Sequence, residues 1–321
     1  SGGAHWRYAA TLRVSCRMTL SVARRAGKTV YGLLVGRQRR PWFDIWPGLT
    51  LERDSLGSWA RVLYRGQLAA ELLPCRSLTD RKFESIAVVG AGPSLRNQAH
   101  DRLSDYDIIL TNGSLALIGD KHIHPAAVFI EDEGFVVNCP ELVVAIPDGT
   151  HCFFSPPVLR AICAIDPAHL GRWRVSLAEV LHRPVGSRRP DWGELASRHF
   201  VIVSGGNVLF SSDCDRGFGS CGTVVYCALQ LAVQCAPRSI GLAGVDLMNL
   251  EQPRVHEVPG QRRPPSRLQR RLPSILQGFS LAAKVCHKRG IATVNYSAAS
   301  LVPAAEFPYN DLLDRPRAPA G

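Results

Sequence analysis

Two short apolar runs, each cut off by a small polar turn, constrain this chain more than anything else in it. Ile86-Ala87-Val88-Val89 stops at Gly90-Ala91-Gly92-Pro93-Ser94, and roughly twenty residues later Ile108-Ile109-Leu110 stops at Thr111-Asn112-Gly113-Ser114. Runs this short and this apolar suit strands buried on both faces, as in parallel sheets. Their turns then fall at one edge of the sheet, where backbone N–H groups and short side chains gather. That edge is where open α/β sheets bind nucleotides.

From residue 84 onward the alternation continues. Further strands are expected at Ala127–Ile130, Leu142–Ala145, Ile240–Ala243 and Ala292–Asn295, and helices at Val224–Gln234 and Gln277–Lys288. The fold class is therefore α/β, a Rossmann-like, mostly parallel sheet with helices on both faces. Pro147 to Phe200, rich in Pro, Arg and His, reads as a helical insertion (147–200), and the polar stretch Met248 to Pro273 as a mobile loop (248–273). These belong to one nucleotide-binding domain over 83–315. Residues 1–82 read as a basic N-terminal appendage. Thr19 to Val35 mixes apolar and basic residues as an interfacial helix does, and Trp59 to Leu73 is expected to form another helix.

Composition narrows the partners. With 321 residues and 46% hydrophobic content the chain can bury a substantial core. It has no run of about 18 apolar residues and no signal-peptide pattern. Ten cysteines form no CxxC pair and match no zinc spacing, so they read as free thiols in a reducing, cytoplasmic setting. The net charge of +11 is concentrated: residues 1–40 hold nine Arg/Lys and no acid, and five arginines lie between Arg262 and Arg271. An anionic membrane surface is the preferred partner of residues 1–40, with a merely solvated basic segment as the alternative. No nucleic-acid-binding motif is present, so nucleic acid is not an expected partner.

Residues able to do chemistry fall at the expected strand ends. Gly90, Gly92, Pro93 and Ser94 fit either a phosphate-contacting loop or a tight structural turn, and Leu95 stands where a dinucleotide fingerprint needs its third glycine. Asn112 can donate and accept at once, as a pyrimidine edge or a ribose requires, with Gly113 and Ser114 beside it. Glu131-Asp132-Glu133 ends the third strand; alternation favours Asp132 to face the crevice as base or nucleophile, and the alternative is a solvated acidic turn. Ser220, Gly222 and Thr223 open the helix at Val224 and form a second candidate anion site. Asp246 ends a later strand, placed to bind a sugar hydroxyl or to cap a turn.

Together these segments resemble the sialyltransferase-like glycosyltransferases that use CMP-activated 2-keto sugar acids. Bacterial sialyltransferases have a Gly-x-Gly-Pro-Ser-Leu turn, matched by Gly90 to Leu95, then an Arg-Leu pair and a strand ending in Asn, matched by Arg102-Leu103 and Asn112. The similarity is closer to the lipopolysaccharide-core Kdo transferase family (WaaZ-like). Its motifs are matched by Asn112-Gly113-Ser114, Asp132, Ser220-Cys221-Gly222-Thr223 and Gly244-Val245-Asp246-Leu247, and less fully by Pro265 to Leu272. The resemblance covers about residues 84–310.

That resemblance implies a sialyltransferase-like fold. It also implies transfer of Kdo or a related 2-keto sugar acid from a CMP-sugar donor to a lipopolysaccharide or lipid-linked saccharide acceptor. The implied location is cytoplasmic and peripheral at the inner membrane of a Gram-negative bacterium, with no metal and no tightly bound cofactor. The donor's cytidine and phosphate would lie between the Gly90–Ser94 turn, Asn112 and Ser220–Thr223. Arg263, Arg267 or Arg270 would offset the negative charge, and Asp132 would be the essential carboxylate. The catalytic His of the sialyltransferases has no counterpart near Arg270 to Ser274, where His256 is the nearest loop histidine. Two alternatives remain. One is a pterin pyrophosphokinase-like enzyme using ATP and Mg²⁺ held by Asp132 and Glu133; the other is a catalytically inactive nucleotide-binding relative.

Overall fold

Seven parallel strands form the centre of the molecule in a computed structural model that describes residues 43–205, 208–258 and 267–315, with part of 26–36. Before them come β1 (Leu49–Arg53), β2 (Trp59–Tyr64) and β3 (Gln67–Glu71), a small antiparallel sheet. The central sheet is built from β4 (Ser85–Val89), β5 (Asp107–Thr111), β6 (Pro125–Ile130), β7 (His151–Phe154), β8 (Arg174–Leu177), β11 (Ser239–Ala243) and β12 (Ala292–Asn295). A hairpin of β9 (Val201–Ser204) and β10 (Val208–Ser211) stands apart from it. The strand order is β12-β11-β4-β5-β6-β7-β8. The chain thus runs outward from β4 to β8, then returns to add β11 on the other side of β4. The order reverses between β4 and β11, and at such a reversal the loops at the strand ends diverge and leave a crevice.

Alternation along each strand feeds two cores, one on each face of the sheet. Ile86, Val88, Ile109, Phe129, Phe153, Ile240 and Leu242 face one core. Ala87, Val89, Ile108, Leu110, Val128, Ile130, Phe154 and Val175 face the other. Four helices supply most of the cover: α1 (Glu133–Asn138), α2 (Pro156–Ile165), α3 (Val224–Gln234) and α4 (Arg267–Lys288). α3 and α4 cover the first face, and α1 and α2 the second. Among the described residues no helix is long and apolar enough to cross a membrane.

Five of the expected strands, all but Leu142–Ala145, and helix α3 lie where the sequence places them; four other expectations are corrected. Trp59 to Leu73 is β2 and β3, because Arg65 and Gly66 both take positive φ (51° and 80°) and close a two-residue hairpin. Leu142–Ala145 is not a strand: Pro140 starts a helical turn over Pro140–Val144. The stretch 147–200 does contain α2, yet it is no helical insertion, since it also supplies β7 and β8 of the main sheet. The loop predicted to end at Pro273 gives way to α4 at Arg267. Leu268, Leu272 and Leu276 recur at helical spacing and pack on the core, and this outweighs Pro273 within the helix.

Residues 43–82 are joined to the sheet. Leu72 bridges to Val175 in parallel, and the Leu73 amide donates to the Val175 carbonyl at 2.7 Å, which covers the outer edge of β8. Of the expected interfacial helix 19–35, the described residues between 26 and 34 are helical, with Val30, Leu33 and Leu34 exposed, and most of the basic segment 1–40 lies outside the described residues.

Candidate functional site

At the C-terminal ends of β4 and β11 the two loops touch backbone to backbone. The Gly90 amide donates to Ala243 O and the Gly92 amide to Gly244 O, each at 2.8 Å. A Cβ on Gly90 would stand 2.5 Å from Gly244 O, and one on Gly92 would stand 2.4 Å from Cγ of Asp246. Glycine is required here by this close approach. Ser94 then turns its amide to Asp246 Oδ2 at 2.7 Å and its hydroxyl to Oδ1 at 2.8 Å. The position that an incoming anion would take at the Gly90–Ser94 turn is therefore filled by the protein's own carboxylate. Between the two roles left open for this turn, the geometry favours the structural one, and Asp246, which is 7% exposed, is its latch.

The end of β5 is similarly tied. Ser114 is fully buried; its hydroxyl accepts from the Thr111 amide at 2.8 Å and lies 3.0 Å from Val89 O. It holds the loop and is not presented to a ligand. Asn112 takes φ 40°, and its Oδ1 accepts from the Glu131 amide at 3.3 Å, joining the ends of β5 and β6. Gly113 lies under His256: a Cβ there would meet Nδ1 at 2.0 Å. The imidazole also packs edge-on against Phe135, with ring centroids 5.6 Å apart. Sequence spacing gave His256 a poor match to a catalytic loop histidine, yet the fold brings it to the crevice. The Val255 amide donates to Ala91 O and so fastens this segment across the β4 loop.

The three acids after β6 separate. Glu133 pairs with Arg160 at 2.9 Å. Asp132 caps α1, accepting from the Gly134 amide at 2.9 Å, and attracts Arg254. Glu131 continues the alternation of Phe129 and turns to the α3 side, where its carboxylate tip is enclosed near Cys227 and Arg183. Burial pushes this carboxyl above its usual value, against the opposing pull of Arg183. It lines a small cavity of about 30 Å³ with Ser155, Ala178 and Arg183. Asp132 was selected in sequence as the acid facing inward. The enclosed acid is Glu131, and the alternation that put Phe129 in the α3 core was the signal for it.

α3 begins at the same edge. No side chain caps its N-terminus at Thr223, and Val225 packs within 3.4 Å of the Gly90 Cβ position. Gly222, at φ 111°, is exposed beneath Arg271 of α4, whose Cβ would lie 3.0 Å from a Cβ on Gly222. Ser220 is half-buried just before the turn. Arg271 also belongs to a cationic group with Arg183 and Arg189 around His182. Burial, reinforced by these three guanidinium groups, lowers the His182 pKa to about 4. The expected partner Arg270 is exposed one residue away, so Arg271 is the arginine that reaches the turn. Arg263 and the Arg267 side chain lie outside what the structure describes. Neither Arg183 nor Arg271 was distinguishable by sequence from the many other arginines.

No protein-family model and no curated protein matches the chain. Two solved structures overlay on it, both at a TM-score of 0.40. One is the MAf glycosyltransferase from Magnetospirillum magneticum AMB-1, 14% identical, with 71% of this chain and 33% of that chain covered. This chain thus spans about a third of that protein's length. The other is the monofunctional alpha-2,3-sialyltransferase Cst-I from Campylobacter jejuni, 15% identical, with 74% of this chain and 83% of that chain covered.

The arrangement has one electropositive wall and one mixed wall. On one side stand the uncapped start of α3, Gly222 and Arg271, with Glu131 below beside Arg183, which pairs with Asp44 at 2.8 Å. On the other stand Asp132, Arg254 and His256. The first group suits an anion, and the second holds groups able to move a proton. The nine described cysteines are free thiols, and eight of them are buried.

Proposed function

We propose that this protein is a glycosyltransferase that moves Kdo or a related 2-keto sugar acid from a CMP-activated donor to a saccharide acceptor of the lipopolysaccharide type. The observation that carries this reading is the uncapped N-terminus of α3, with Arg271 against Gly222 and Arg189 grouped nearby, at the sheet's order reversal. A CMP-linked keto acid presents two anionic groups, a phosphate and a sugar carboxylate, and a site with a helix start and separate guanidinium groups suits both. The matched motifs Asn112-Gly113-Ser114, Ser220-Cys221-Gly222-Thr223 and Gly244-Val245-Asp246-Leu247 border the same crevice and support the reading.

In this proposal the helix start and Arg271 hold the departing phosphate and stabilise its charge as the glycosidic bond breaks. Asn112 meets the cytidine or ribose. Asp132, with His256 beside the same loop, takes the proton of the acceptor hydroxyl as it attacks the anomeric carbon. Asp246 acts through the Ser94 turn and does not touch the donor. No step calls on a metal or a tightly bound cofactor. The basic segment 1–40 brings the enzyme to an anionic membrane surface on the cytoplasmic side.

Calorimetry with CMP, with ATP and Mg²⁺, and with GTP tests the nucleotide. CMP preference supports the proposal, whereas ATP with magnesium as the tighter ligand replaces it with the pyrophosphokinase reading. With CMP binding kept, Asp132→Asn abolishes transfer from CMP-Kdo; full retained activity removes Asp132 from the mechanism. Co-sedimentation with anionic vesicles, reversed by salt, tests the membrane contact.

A further inference from the structure

A second concavity, of about 780 Å³, opens between the β1–β2 turn and the segments on either side of the β9–β10 hairpin. None of the residues at the ends of β4, β5, β6 or β11 lines it. Its charged groups are unevenly used. Glu179 accepts from Trp59 Nε1 at 3.1 Å and from the Val185 amide at 2.6 Å. Asp215 accepts from the Cys75 amide, and Asp213 accepts from the Asp215 amide and pairs with Arg216. All three carboxylates are thus occupied by donors of the protein itself.

The guanidinium groups are not balanced in the same way. Arg53 lies over Trp59, 3.7 Å from the ring centroid, with Nη1 donating to the Gly57 carbonyl, and Arg216 lies over Phe200 at 5.3 Å. Arg76 and Arg198 line the same cleft, and among the described residues no carboxylate pairs with Arg53, Arg76 or Arg198. Arg53 keeps N–H groups beyond the one bound to Gly57, and the planar guanidinium forks of Arg76 and Arg198 match carboxylate and phosphate.

The chemistry of the walls selects among anions. Ser58, Ser197 and His199 add hydroxyl and imidazole groups suited to sugar hydroxyls. Each lining aromatic ring already carries an arginine, which disfavours base stacking and hence single-stranded nucleic acid. Leu56 is the sole aliphatic side chain in the lining, too little to hold a lipid tail. We propose that this cleft binds an oligosaccharide bearing carboxylate or phosphate groups, gripped by Arg53, Arg76 and Arg198. The loop from Ala178 to Val185 separates it from the Glu131 cavity: Glu179 faces the cleft, while Val180 and Arg183 line the cavity. The assignment rests on the cleft itself and stands apart from the transferase reading.

The test uses the full chain, with hexagalacturonate as the anionic probe, maltohexaose as the neutral one and an oligothymidylate as the nucleic-acid competitor. Hexagalacturonate binds at least about ten-fold more tightly than maltohexaose, and Arg76→Ala/Arg198→Ala loses about ten-fold or more. Arg61→Ala/Arg238→Ala, two exposed arginines paired elsewhere with Glu52 and Glu84, keeps the affinity. Should the alanine pair melt early, Arg76→Gln/Arg198→Gln replaces it. Equal binding of the two saccharides, unchanged affinity in the cleft variant, equal loss in the control pair, or tighter binding of oligothymidylate overturns the proposal.

Discussion

Gly92 carries more structural consequence than its size suggests. A methyl group there would press into Asp246 and toward Gly244 O, 2.7 Å away, and displace the carboxylate that holds Ser94. Gly92→Ala is expected to cost about 3 kcal/mol, overpacking plus weakened charged hydrogen bonds, read by urea unfolding. Glu131 offers a test of the opposite sign. Its folded pKa is raised, so its contribution to stability is whole below about 4.5, the unfolded value, and is lost as pH rises through the folded one. Glu131→Gln removes that loss. The stability of the variant relative to the parent therefore grows between pH 4 and pH 7, and a constant difference would contradict the enclosed carboxyl. At this scale the sequence is readable where backbone geometry dictates the residue: the glycines and Asn112 were found from their turns. What they do was less readable. The Gly90–Ser94 turn looks the same in sequence whether it cradles a phosphate or an internal aspartate, because the partner Asp246 lies 152 residues further on.

Among the elements, β7 and β8 join the N-terminal segment to the sheet through a buried relay. Ser176 donates its hydroxyl hydrogen to Leu73 O at 2.7 Å, so it must accept from His151 Nε2 at 2.8 Å. Nε2 therefore carries a proton. Burial, with Arg174 and Arg81 nearby, lowers the His151 pKa to about 4. A histidine depressed from about 6.5 gives stability that is whole above pH 6.5 and falls away toward pH 4, about 3 kcal/mol in all. His151→Gln keeps a donor to Ser176 and is expected to lose less stability than the parent between pH 7 and pH 4.5 in urea titrations. Strands such as β4, β5, β6 and β11 were legible because their runs are continuous and apolar. Those of β7 and β8 were not. His-Cys-Phe-Phe and Arg-Val-Ser-Leu are four residues each, and their buried His151 and Ser176 are satisfied only by each other and by Leu73, far apart in sequence. Helix α4 was half legible, its first turns hidden by Pro273 and by arginines that suggest a loop.

For the whole molecule, α/β class and strand alternation were accessible from the chain alone, while the position of the order reversal depended on which strands sit beside β4. That arrangement has a kinetic side. From β4 to β8 each strand pairs with the next one along the chain, so these contacts close short loops. The β4–β11 pairing instead joins Ser85 to Ser239, 154 residues apart. Closing so long a loop costs more chain entropy before any contact offsets it. The five strands from β4 to β8 are expected to gain amide protection first in pulsed hydrogen exchange during refolding. The Gly90 and Gly92 amides, whose acceptors lie in the β11 loop, follow later; simultaneous protection would indicate one concerted step. The crevice would then be the last part of the protein to come into existence, and a chain stalled before that point would have a folded sheet but nowhere to put its substrate.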